Sequence, residues 1–207
     1  MEVDIRDLIC YGNLLDEAYK SENICIVQQT NCVALNPGGL AYDLAQYYGE
    51  AYNPYRYRKK LSNKYNYDIA TQSTRDELGT VKLYPGSPNI VNLYAQYMSG
   101  NHSFKLEKDF LKSMDESFKT NIEKDKKEDR LKYFNQCLKL WLQELKKSYN
   151  NHINCVFFPY RIGCGLAGGD WEEYKKSILM FNENIPSNIK VYVIKMIPKK
   201  IDLNPNQ

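Results

Sequence analysis

The sequence has only two histidines in 207 residues, His102 and His152, too few for a histidine-rich metal cluster. Its six cysteines form no CxxC pair, which argues against a zinc site of that kind. Cys10, Cys25, Cys32, Cys137 and Cys155 mostly sit inside apolar runs, without the dense spacing of a disulfide framework. No apolar run approaches the ~20 residues of a membrane helix. Met1-Glu2-Val3-Asp4 also lacks the basic-then-apolar order of a signal peptide. A net charge of +3 is too small to call for nucleic acid. The expectation is a cytoplasmic or nuclear protein with no metal, no cofactor and no membrane partner.

What is present alternates. Apolar runs predict strands at Ile5–Tyr11, Ile24–Gln28, Thr80–Tyr84, Ile90–Tyr97, Ile153–Tyr160 and Lys190–Ile197. Between them, Leu40, Leu44, Tyr47 and Tyr48 fall at helical spacing, as do Leu131, Phe134, Leu138, Trp141, Leu142 and Leu145. A third helix is predicted from Trp171 to about Phe181. Strands alternating with helices imply an α/β fold whose largely parallel sheet is covered on both faces.

Two regions interrupt the plan. Phe104–Asp129 is rich in Lys, Glu and Asp over an apolar beat, and reads as a helical insertion or an extension of the helix that follows. Tyr42–Tyr67 carries eight tyrosines beside Arg56, Arg58, Lys59 and Lys60. Such mixing could stack on bases or pack amphipathic rings at the edge of a core. The tail at 198–207 is expected to fray.

Two glycine-rich loops carry the chemistry. Phe157 to Glu173 runs from a buried strand through Gly163-Cys164-Gly165-Leu166-Ala167-Gly168-Gly169 into a helix that opens with Asp170. Glycines let a ligand approach the backbone, and the N–H groups with the positive end of a helix form an anion site. Asp170 with Glu173 reads as a capping box. Thr30 to Ala41 repeats the arrangement around Gly38-Gly39. Two such loops at the carboxyl ends of strands would face each other across a crevice, as a nucleotide diphosphate requires. Gly163, Gly165 and Gly168 match a dinucleotide fingerprint, but they follow the penultimate strand and no acid ends the next one, which argues against a Rossmann domain.

These residues resemble the macro domain family from Ile5 to about Ile197, the insertion apart. The matching segments are Gly12-Asn13-Leu14-Leu15, Thr30-Asn31-Cys32 with Gly38-Gly39-Leu40-Ala41, Val91 to Gln96, and Arg161 to Leu166 with Asp170-Trp171. The last is similar to the branch that removes ADP-ribose from acidic residues or DNA. Asn92-Leu93-Tyr94-Ala95-Gln96 is similar to proteins that process ADP-ribose 1″-phosphate.

The resemblance implies a three-layer α/β/α fold around a mixed sheet of about six strands, with ADP-ribose in the crevice. Asn13 and Leu14 would meet the adenine, and Asn31 with Gly38, Gly39 and Leu40 the distal ribose. Gly163, Cys164, Gly165, Leu166 and Ala167 would wrap the diphosphate. Gln96 stands where the glycosidic branch has lysine, Ala167 where it has an acid, and Asn13 where the family usually has Asp. An amide forms no amine adduct with an opened ribose, and alanine transfers no proton.

Hydrolysis of a terminal derivative such as ADP-ribose 1″-phosphate is therefore the expected activity, with Asn31 positioning a water or phosphate oxygen. The rival is a non-catalytic reader of ADP-ribose or of an ADP-ribosylated protein, and a de-ADP-ribosylating glycohydrolase ranks third. Cys164 is expected to be structural, since the intervening strand separates it from His152 by about 25 Å at 3.3 Å per residue. His102, after the fourth strand, reads either as an acid or base or as a solvated surface group.

Overall fold

The computed structural model describes residues 4–100, 106–147 and 152–196. His102, Phe104 and the 198–207 tail lie outside the described residues. Six strands form one sheet: β1 (Ile9–Gly12), β2 (Ile24–Asn31), β3 (Val81–Tyr84), β4 (Asn89–Gln96), β5 (Cys155–Pro159) and β6 (Lys190–Met196). Their order across it is β1-β6-β5-β2-β4-β3, and only β3 runs antiparallel to its neighbour. The sheet is therefore mixed and largely parallel, as expected. Both edge strands are only four residues long, which leaves little unpaired backbone for another chain to pair with.

The faces of the sheet follow from alternation. On β2, Cys25 and Val27 point into the larger core cluster, and Ile26 into a smaller one on the opposite face. The larger core lies under α5 (Lys127–Leu145) and α6 (Trp171–Asn184), where Trp141 stacks on Phe181 with ring centroids 5.1 Å apart. Burying such a side chain stabilises by about 1.5–3 kcal/mol. The opposite face packs Ile26, Ile90, Phe157 and Ile194 against Leu44 of α2 (Leu40–Tyr48) and against Tyr52.

Three expectations need correction. The Ile5–Tyr11 run is not one strand, because Ile5–Leu8 forms a single helical turn, α1. Asp4 Oδ1 accepts from the Arg6 amide at 2.9 Å and Asp7 Oδ2 accepts from the Asp4 amide at 3.2 Å, a reciprocal cap that overrides the β-prone isoleucines. β2 does not stop at Gln28, since Gln28 to Thr30 pair with Asn92 to Tyr94 and, after a one-residue shift in register, Asn31 pairs with Gln96. Asp170 does cap α6, accepting from the Glu172 amide at 2.9 Å, but Glu173 pairs with Lys176 rather than reaching back.

The charged insertion is helical, with α3 (Lys108–Ser113) and α4 (Glu116–Glu123) ahead of α5. Phe110, Met114 and Phe118 fill a third cluster with Cys32, Tyr94 and Tyr97, so the insertion is a packed part of the fold. Of the eight tyrosines between 42 and 67, Tyr48, Tyr52, Tyr55, Tyr65 and Tyr67 pack at core edges, while Tyr42 and Tyr57 are exposed.

Burial pushes the Cys137 thiol up to about 12 and raises the Cys25 and Cys32 thiols as well. The folded chain therefore keeps these protons where the unfolded chain releases them, and stability falls as pH rises through the ordinary thiol range. Denaturant midpoints measured from pH 7 to 10 should be flat to about pH 8 and then decline; a midpoint that rises between pH 8 and 10 would contradict these burials.

Candidate functional site

The carboxyl ends of β2, β4 and β5 open into a cleft of about 400 Å³. Its floor includes Gln28, Gln29, Asn31 and Gln96; one wall is Asn36 with Gly38 to Ala41, and the other runs from Pro159 through Gly163 and from Gly165 to Ala167. Ser99 and Gly100, just past β4, and Tyr55 complete it. The two glycine loops do face each other across the sheet edge. A larger hollow of about 730 Å³ lies between α5 and α6, but its walls are helical residues whose backbone groups are largely held within the helices.

The glycines divide into two kinds. A Cβ at Gly38, Gly39 or Gly165 would meet nothing within 4 Å, so these positions border open space. Gly163 and Gly169 are structural. A Cβ at Gly163 would sit 2.2 Å from the Tyr174 ring, with φ at +72°, and one at Gly169 would lie 2.5 Å from the Gly163 carbonyl oxygen. The loop is tied by Gly169 N–H to Gly163 O at 2.9 Å and by Gly168 N–H to Gly165 O at 3.0 Å.

Among the described residues, the amides of Gly165, Leu166 and Ala167 donate to no protein acceptor, and neither do those of Gly38 to Ala41. The second set opens α2, so the positive end of that helix adds to it. Two facing groups of free N–H donors suit a divalent oxyanion chain such as a diphosphate. Among the described residues lining the cleft, Arg161 is the one ionisable cation, and it holds φ at +60°.

Asn31 is more heavily engaged than the sequence suggests. Its Oδ1 accepts from the Ala34 amide at 2.7 Å, the Val33 amide at 3.1 Å and Arg58 Nη1 at 3.3 Å, while Nδ2 donates to the Tyr55 hydroxyl at 2.9 Å. One amide hydrogen is left for a ligand. Gln96 is similarly held, with Oε1 accepting from Gln29 Nε2 at 3.0 Å and Nε2 donating to the Met98 carbonyl at 3.2 Å.

Three expected ligand residues stand apart from the cleft lining. Leu14 is buried in the core beside Ile26, Leu44 and Phe157. Asn13 turns its Oδ1 onto the Leu15 amide at 3.0 Å. Cys164 packs against the larger core and donates its thiol to the Ile162 carbonyl, 3.3 Å away. Burial pushes that thiol up to about 11, so Cys164 is no poised nucleophile. Lys82, on the neighbouring strand β3, is ion-paired with Asp76 and does not line the cleft.

Sequence reading missed Arg58 and Tyr55. The Arg58 side chain is 2% exposed; it donates to Asp76 Oδ2 and, at 2.6 Å, to the Asn31 carbonyl, and its guanidinium lies 4.0 Å from the Tyr55 ring centre. In sequence both belong to the tyrosine-basic stretch, where nothing separates a buried arginine from its exposed neighbours.

Several solved structures resemble this one in fold. The macrodomain of Thermus aquaticus DarG is 18% identical, covering 90% of this chain and 96% of that one, with a TM-score of 0.51. The macrodomain of Mycobacterium tuberculosis DarG is 16% identical over 90% of this chain and 96% of its own, with a TM-score of 0.50. A mutant macrodomain from Oceanobacillus iheyensis is 16% identical over 96% of this chain and 89% of its own, also at 0.50. No protein-family model matches the sequence, and no curated protein does. The fold of this chain is that of a macrodomain.

The division among the glycines gives a direct test. Gly163→Ala should cost about 1–3 kcal/mol of stability through its clash with Tyr174, whereas Gly165→Ala should change it by less than about 0.5 kcal/mol. Equal unfolding midpoints for the two variants would refute the assignment.

Proposed function

We propose that the cleft binds ADP-ribose or a derivative substituted at its terminal ribose. The observation that carries the reading is the pair of unbonded amide groups, at Gly38–Ala41 and Gly165–Ala167, facing each other beside glycines that border open space. A diphosphate would accept from both, and Arg161 would add a charge from the rim. The macrodomain fold supports an adenosine and a second ribose as the rest of the ligand.

Binding without turnover is the leading form of this reading. Among the described residues no Asp, Glu, His or Lys lines the cleft, and the Asn31 amide oxygen is fully occupied. Asn31 thus serves first to shape the loop. The second reading, hydrolysis of ADP-ribose 1″-phosphate, is favoured by the one Asn31 N–H left over beside the free Gly38 and Gly39 amides, which could hold a terminal phosphate. Release of ADP-ribose through a lysine adduct has no support, because both ends of Gln96 are engaged and Lys82 is paired elsewhere.

Calorimetry with ADP-ribose tests the site. Gly38→Glu and Gly165→Glu should each abolish binding while leaving the unfolding temperature within a degree or two, since their side chains enter open space and bring like charge. Gly39 is the poorer choice, as its φ of +54° would strain any other residue. Wild-type affinity in both variants would remove the two-loop site.

A phosphate-release assay on ADP-ribose 1″-phosphate decides between the two forms. The expected outcome is tight binding with no release above the uncatalysed rate; multiple turnovers that vanish in Asn31→Ala would establish the hydrolase instead.

A further inference from the structure

The insertion ends where α4 meets α5, and that junction reaches the cleft. Asp125, between the two helices, is 6% exposed, and Arg130 in the second turn of α5 is 1% exposed. They form a two-point ion pair, Nε to Oδ1 at 2.9 Å and Nη2 to Oδ2 at 2.7 Å. The carboxylate also accepts from the amides of Tyr97 at 2.8 Å and Met98 at 2.9 Å, the first residues past β4. Arg130 Nη1 donates to the carbonyls of Gly100 at 2.7 Å and Ala167 at 3.1 Å.

Gly100, just past β4, and Ala167, in the glycine loop after β5, both line the cleft from chain segments 67 residues apart. One guanidinium therefore spans both. We infer that Arg130, seated on Asp125, is a positioning residue that fixes the spacing between the loop after β4 and the diphosphate loop, and through it makes the charged insertion a working part of the ligand site. The ligand in this inference rests on the ADP-ribose reading; the spacing role does not.

The chemistry specifies why arginine is required. Its planar fork presents donors in three directions at once, two toward the carboxylate and others toward the carbonyls. Lysine can offset the buried charge of Asp125 with a single ammonium, but that point charge cannot serve the carboxylate and two carbonyls from different segments. With Ala167 O released, the adjoining amides of Gly165 to Ala167 lose the anchor that holds them in place before ligand arrives. Binding must then supply the ordering, which weakens affinity.

The test uses the whole chain. Arg130→Lys keeps charge compensation, and the double variant Arg130→Gln with Asp125→Asn leaves no stranded charge. Amide hydrogen exchange of ligand-free protein should show faster exchange at Gly168 and Gly169, whose amide bonds close the diphosphate loop, in Arg130→Lys, with β2 and β4 unchanged, and the ADP-ribose dissociation constant should rise about tenfold. A purely structural role would instead lower protection throughout. In wild-type protein, saturating ADP-ribose should slow exchange at 97–100 together with 165–168, because one side chain joins them. Slowing at 165–168 alone, or wild-type exchange and affinity in both variants, would overturn the inference. If wild-type protein bound no ADP-ribose, the ligand reading would fall, and ligand-free exchange in the variants would still decide for or against the spacing role.

Discussion

Taking a guanidinium and a carboxylate out of water together costs several kcal/mol per ion before their attraction is counted. Arg130 and Asp125 meet that cost by also serving four backbone groups, at Tyr97, Met98, Gly100 and Ala167. None of the four belongs to a regular element, so sheet and helix hydrogen bonds cannot hold them. The loops around the cleft depend on this pair as the sheet depends on its ladder. Arg58 and Asp76 form a second ion pair, from which Arg58 binds the carbonyls of Asn31 and Ala34 ahead of Gly38 and Gly39. The two ion pairs together explain how two flexible, glycine-rich loops can keep a row of amides without partners.

That arrangement also explains the division of labour among the side chains. Asn31, Gln96, Gln29 and Tyr55 bond to one another or to nearby backbone and leave the cleft few free polar groups. The donors left to the cleft are chiefly peptide N–H groups, with the Arg161 guanidinium and the spare Asn31 N–H beside them. Such a surface suits an anion by its geometry.

Much of the fold was legible because periodicity is a local signal. The α2 boundaries at Leu40 and Tyr48 and the strands at Val81–Tyr84, Asn89–Gln96 and Lys190–Met196 fall within a residue or so of the hydrophobic pattern. The misses have particular causes. Asp4 and Asp7 turned an apolar run into helix by reciprocal capping, and the polar end of β2 looked like loop because its side chains pair with equally polar ones on β4. The cleft was legible as loops, since glycine marks backbone approach. Its supports were not: nothing in the sequence pairs Arg130 with Asp125 in preference to the neighbouring lysines and acids, or shows that Arg58 turns inward while Arg56 and Lys59 do not. Burial of a charge is a tertiary fact.

The strand order carries a consequence for synthesis. β1 is the first strand of the chain, yet its one neighbour in the sheet is β6, the last. As the chain emerges from the ribosome, Ile9 to Gly12 must wait for about 180 residues before their partner exists, while β2, β4 and β3 can already pair. The sheet therefore closes from its middle outward, and α1 docks only when Val193 arrives beside Ile9. A ribosome stalled before residue 190 would hold a nascent chain whose amino-terminal segment is unpaired and open to chaperone or protease.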